Sequence, residues 1–148
     1  MFPPNADYRQ RLFEVMEAAP FVAAVGIRLQ DFGPGWCETV LEIRPNHLQQ
    51  NGYVHAGVQT TLADHTAGAA AATLMPADEI VLSLEFKINL LRPAVGERLL
   101  CRATVIKPGR RFSVVEADVS AVQGDKVSLV AKMLATMAYA PDPRFSQP

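Results

Sequence analysis

Residues 51–76 constrain this chain most. They form its longest stretch with neither a two-residue alternation nor an internal proline, and they read as one long helix that starts near Gly52 and is stopped by Pro76. Almost every side chain in the stretch is small or apolar, and a helix that is apolar all round is buried in a core or in a membrane. His55, Asp64 and His65 fall inside the window and count against the membrane. A buried helix must then house a carboxylate near its middle. Helical spacing sets Asp64 on a stripe with Gly57, Thr60, Thr61, Gly68 and Ala71, a groove of minimal side chains that another surface is expected to fill. A second copy of the same helix is the natural candidate, which gives a two-fold dimer.

The rest of the chain supplies the wrapping. Residues 7–19 carry apolar side chains at helical spacing, with Asp7 placed to cap the start and Pro20 to end the helix. Residues 26–29 look like the entry to a strand, 33–35 like a turn, and 36–43 like a half-solvated strand. Beyond Pro76 come four strand-like segments, 82–90, 98–107, 112–122 and 126–139, whose short connections imply antiparallel hairpins. In 82–90, Leu82, Leu84, Phe86, Ile88 and Leu90 are predicted on one face and Ser83, Glu85, Lys87 and Asn89 on the other. The tail from Pro141 is proline-rich and expected to fray. The fold class is α+β: one domain over residues 1–148, with a long central helix wrapped by a curved antiparallel sheet of five or six strands.

Composition narrows the function. With 49% hydrophobic residues and a net charge of −1, the chain has material for a core and no basic face for nucleic acid. Cys37 and Cys101 sit in strand-like alternations and read as small core residues, which fits a reducing, cytoplasmic location. No secretory signal is visible at the start. His55 and His65 are ten residues apart on different turns, so no metal site follows, and no cofactor is expected. No serine or cysteine stands in a strained Gly-x-Ser-x-Gly elbow, so a Ser-His-Asp hydrolase is disfavoured. His47 reads as a loop residue, and His65 as a structural or surface residue on a different face from Asp64.

His55-Ala56-Gly57, then Leu62-Ala63-Asp64, then Gly68-Ala69-Ala70, with residues 83–89 leading to Arg92-Pro93-Ala94 and Gly96-Glu97, resembles the hotdog-fold acyl-CoA thioesterases of the PaaI-like (phenylacetate-degradation) type. The resemblance spans most of the chain. It implies a thioester hydrolase acting on a small or medium acyl-CoA, with coenzyme A as part of the substrate, in a homodimer that assembles further into a homotetramer. By position it makes Asp64 the base or nucleophile and the Ala56 N–H the donor to the carbonyl oxygen. Gln49 holds water or the carbonyl, with Gln50 and Asn51 as adjacent rivals; Ser83 binds Asp64 or water, and His55 orders the helix start. Gly57, Asn51 and Thr61 fall on the substrate side, and Lys107, Arg110 and Arg111 are candidates for the coenzyme A phosphates. The chain departs from the family where Ala56 stands in place of a glycine, which keeps a backbone donor only if the backbone angles suit alanine.

The helix start offers free N–H groups near Ala56 and Gly57 at the positive end of the helix dipole. Asp64 lies eight residues further on, roughly 12 Å along the axis at ~1.5 Å per residue, too far to act on the same carbonyl. Two antiparallel helices across a dimer axis bring Asp64 of one to Ala56 of the other. The alternatives are a non-catalytic acyl-CoA-binding module and an enoyl-CoA hydratase.

Overall fold

The structure is a computed structural model, and it describes residues 3–145. Its buried helix, α3, is Ala56–Ala72, shorter at both ends than the predicted 51–76. At the start, Leu48 bridges Val54, and Gly52 takes a left-handed φ of 85°, so residues 49–53 turn back on themselves before the helix begins. At the end, Thr73 caps the helix, and Leu74 and Met75 close into tighter turns on Ala71 and Ala72.

Six antiparallel strands wrap this helix: β1 Ile27–Gly33, β2 Trp36–Glu42, β3 Glu79–Leu90, β4 Arg98–Lys107, β5 Phe112–Gln123 and β6 Lys126–Pro141, in the order β1-β2-β4-β5-β6-β3. Alternate residues of each central strand point at the helix, and Cys37, Leu41, Leu99, Ala103, Val115, Ala117, Met133 and Ala135 are fully buried. The alanines of α3 let the sheet approach closely. Thr39 and Thr66 satisfy each other's hydroxyls at 2.6 Å inside this layer, so this buried polar pair at the helix–sheet contact is not left unpaired. Burial pushes the Cys37 and Cys101 thiols up to about 12, which fits the expectation of inert packing residues. No helix among the described residues is long and apolar enough to cross a membrane.

The N-terminal segment holds two helices where one was read. α1 is Tyr8–Ala18, and Pro20, expected only to end a helix, opens α2, Pro20–Val25, because a proline at the first helical position forfeits no hydrogen bond. Asp7 stands at the cap of α1, but its side chain makes no capping bond. The start of the tail is tied down rather than frayed: Arg11 on α1 donates to the Glu79 carbonyl at 3.2 Å and to Asp142 at 2.6 Å, and Arg144 also binds Asp142. Residues 146–148 lie outside those described.

The most consequential departure is in β3. Ser83 pairs with Met137 and Glu85 with Thr136, so Leu84 is an extra residue, a β-bulge, and the strand's two-residue period breaks there. Met137 and Ala135 both face α3, so Ser83 and Phe86 share the helix-facing side, while Glu85 turns outward to Thr136, whose hydroxyl donates to it at 2.5 Å. The strict alternation predicted for 82–90 does not hold.

Candidate active site

The start of α3 is held from three sides. His47, far from being a plain loop residue, is 3% exposed and anchors the turn before the helix. Its Nδ1 accepts from the Arg44 N–H at 3.0 Å, which leaves Nε2 to donate to the Val25 carbonyl at 2.7 Å. Its own carbonyl accepts from the His55 N–H at 2.9 Å, and the Val54 N–H donates to Ala94 at 3.0 Å. His55 is the N-cap: its Nδ1 accepts from the Gly57 N–H at 2.8 Å, the ordering role expected of it. That bond corrects one expectation, because the Gly57 N–H is occupied. Ala56 presents the unspent donor of the first turn, with no acceptor for its N–H among the described residues. Among the described residues none other than glycine has a positive φ, so alanine sits at position 56 without backbone strain.

Two turns further along, the Ser83 hydroxyl donates to Asp64 Oδ1 at 2.7 Å. The β3 bulge makes this possible: the sequence paired these residues correctly but placed Ser83 on the wrong face of its strand. Asp64 and Ser83 open onto a cavity of about 280 Å³ that runs along α3 past Gly68 and Ala72 and is closed by Arg11 and Val15 of α1. His65 lines the same cavity, contrary to the separate face expected for it. Its Nε2 meets the Met16 sulfur at 3.0 Å, and burial lowers its pKa, partly offset by Asp64, so the ring is held neutral.

The groove beside Asp64 is open at Gly68, where an added methyl group would meet nothing within 4 Å, whereas at the exposed Gly57 it would meet the His55 ring at 3.0 Å. Thr61 spends its hydroxyl on the Gly57 carbonyl at 2.8 Å and Thr60 on Ala56 at 2.8 Å. Ala71, predicted on this stripe, is instead fully buried against the sheet. Ala56, His55 and Gln49 border a second cleft, of about 570 Å³, with Leu90, Leu91 and Pro93. Within one chain the donor and the carboxylate therefore open onto different clefts. Of the candidate amides, Gln49 is half-buried and accepts from the Asn51 N–H, closing its own turn, while Gln50 and Asn51 are exposed. Lys107, Arg110 and Arg111 are exposed at the β4–β5 connection and border neither cleft.

The thioesterase superfamily model matches residues 51–128, a stretch that runs from the turn before α3 into the start of β6. The chain belongs to the thioesterase superfamily. A thioesterase family protein from Silicibacter pomeroyi superposes with a TM-score of 0.89 at 36% identity, over 91% of this chain and 99% of that one. The phenylacetic acid degradation protein PaaI from Thermus thermophilus superposes with a TM-score of 0.70 at 28% identity, over 81% of this chain and 98% of that one. A 1,4-dihydroxy-2-naphthoyl-CoA hydrolase from Listeria monocytogenes is 31% identical over 96 residues, 65% of this chain and 78% of the relative. This thioesterase has the hotdog architecture of a PaaI-like protein, with a central helix and a sheet of six strands where five or six were expected, and it is a hydrolase of thioesters.

Proposed function

We propose that the protein hydrolyses small or medium acyl-CoA thioesters at a site shared between two protomers, the Ala56 N–H of one and Asp64 of the other. The observation that carries the reading is the Ser83–Asp64 pair at 2.7 Å at the mouth of a largely apolar cavity, on the same helix as an unspent N-terminal amide. The carbonyl oxygen takes the Ala56 N–H, where the helix dipole stabilises the charge it gains. Asp64, oriented through Oδ1 by Ser83, uses its second oxygen to take a proton from water as that water attacks the carbonyl carbon. The C–S bond then breaks, and the coenzyme A sulfur leaves and takes up the proton. The apolar cavity along Gly68 and Ala72 suits the acyl group.

A dimer is supported by β3, an edge strand whose Leu84, Leu90 and Phe86 are 56%, 49% and 41% exposed. A long apolar edge of this kind needs cover, and a second copy of the same edge provides it with backbone hydrogen bonds. The turn residues Gln49 and Asn51 lie on the donor side, and Gly57 and Thr61 on the helix between donor and acid. Lys107, Arg110 and Arg111 are retained as solvent-side partners for the coenzyme A phosphates.

A panel of acyl-CoA esters followed with a thiol-detecting dye tests the reading. Wild type turns over at least one member, and Asp64→Asn loses it; an Asp64→Asn protein as active as wild type contradicts the reading. A single turnover in ¹⁸O water that labels the protein identifies direct attack by Asp64, with water opening the resulting anhydride at the aspartyl carbon, whereas water attack on the thioester labels only the product.

A further inference from the structure

Gln59 is out of place on stability grounds. It is 3% exposed on the first turn of α3; its Nε2 donates to the Val54 carbonyl at 3.3 Å, and its Oε1 is buried with no partner among the described residues. Turning the amide over brings two oxygens together, so the orphan acceptor belongs to this arrangement. An unpaired buried carbonyl is destabilising, and an apolar side chain of the same size avoids that cost. The amide is therefore retained for what its N–H holds.

What it holds is the backbone leading into Ala56. The side chain of Gln59 grips the Val54 carbonyl, and its main-chain N–H, at 3.3 Å, shares the His55 carbonyl with Val58, whose N–H is 3.0 Å away. One residue thus fixes the two carbonyls that precede Ala56. The His55 carbonyl and the Ala56 N–H belong to one planar peptide and point in opposite directions. Pinning that carbonyl aims the N–H out of the helix start, into the cleft that Ala56 and Gln59 both border. Val54 is held on its other side by Ala94, so the segment is clamped from both sides just where the donor emerges.

We infer that Gln59 is a positioning residue for the Ala56 N–H, acting through the Val54 carbonyl to hold the peptide that receives the thioester oxygen. This rests on Ala56 being the oxyanion donor. Such a donor works because it is fixed in advance, so loosening it affects the transition state more than substrate binding.

The test pairs Gln59→Met, which keeps length and bulk without polar atoms, with Gln59→Glu, which keeps the shape without the donor. In both, kcat on the best acyl-CoA falls at least about tenfold with KM changed less than about twofold. The thermal midpoint of Gln59→Met stays near that of wild type, because the lost hydrogen bond is offset by the removed orphan. By ¹⁵N relaxation, the order parameter of the Ala56 amide drops from the rigid range near about 0.85 in both variants. Unchanged kcat in both, a loss of kcat matched by loss of folded protein, or failure of both to fold overturns the inference. If wild type turns over no thioester, the proposed function falls instead, and the order parameter alone decides the clamp: unchanged mobility at Ala56 overturns it.

Discussion

Ser83 donates to Asp64 at 2.7 Å because β3 gains one residue at Leu84 just after it. Without that bulge, Ser83 and the helix-facing Phe86, three residues apart, fall on opposite faces of the strand. The hydroxyl that orients the acid is thus delivered by a local defect in the sheet, a recurrent place for such defects. Deleting Leu84 restores the period and turns Ser83 away. We expect that deletion to cost about 10²-fold or more in kcat, and Ser83→Ala roughly tenfold, both read from steady-state kinetics on the best acyl-CoA. Wild-type kcat in Ser83→Ala contradicts the orienting role.

Ala56 offers an unusually clean substitution. It is the first residue of α3, a position where proline is welcome, and His55 before it already has φ −59° and ψ 139°, the conformation a following proline requires. Ala56→Pro therefore removes the N–H while leaving the helix intact. The expected result is a loss of about 10²–10³ in kcat with the thermal midpoint little changed. Full activity in a folded Ala56→Pro protein excludes this amide as the oxyanion donor.

The exposed edge of β3 makes a separate claim about assembly. Phe86→Lys places a charge on the half-exposed apolar side of that edge. Light scattering is expected to show the wild type as a dimer or larger and Phe86→Lys shifted toward monomer, with activity falling in parallel. An active monomer contradicts the shared site.

Stability should also depend on pH, for two reasons with the same sign. Burial lowers the folded-state pKa of His65 below its ordinary 6.5, so its contribution is present above that pH and is lost as the pH falls. The Arg144 side chain and backbone N–H, with Arg11, hold the Asp142 carboxyl well below the usual 3.8, so its contribution is present above about pH 4 and is lost in stronger acid. Thermal midpoints are expected to fall from pH 7 to pH 5 less steeply in His65→Met than in wild type. Asp142→Asn is expected to be less stable than wild type at pH 7, with the difference narrowing as the pH falls below about 4.

The sequence made some of this plain and hid the rest for physical reasons. The central helix and the β4–β5 and β5–β6 hairpins were legible, because period and turn residues are local signals; the β2–β4 and β3–β6 pairings, between strands that are not consecutive, were not. The ends of α3 were not: neither a proline nor a two-residue alternation marks them, and only the Leu48–Val54 bridge and the His55 cap show where the helix starts. Asp64 stood out by its place in a small, apolar helix, and Ser83 and Ala56 entered as candidates through the resemblance, but the face of Ser83 was misread because a bulge leaves no mark in an alternating pattern. His47 looked like one polar residue among several in a loop; its burial depends on Val25, distant in sequence. Gln59 was passed over entirely. A glutamine inside an otherwise small and apolar helix turn was the one available signal.

The central claim is that one active site takes its amide from one protomer and its acid from the other, and mixing two dead proteins tests it directly. Asp64→Asn and Ala56→Pro homodimers are each expected to be inactive. Unfolded and refolded together in equal amounts, they form mixed dimers in which one of the two sites has both Ala56 and Asp64. Random pairing makes half of the dimers mixed, so the account predicts about a quarter of wild-type activity. A mixture as dead as its two parents contradicts it.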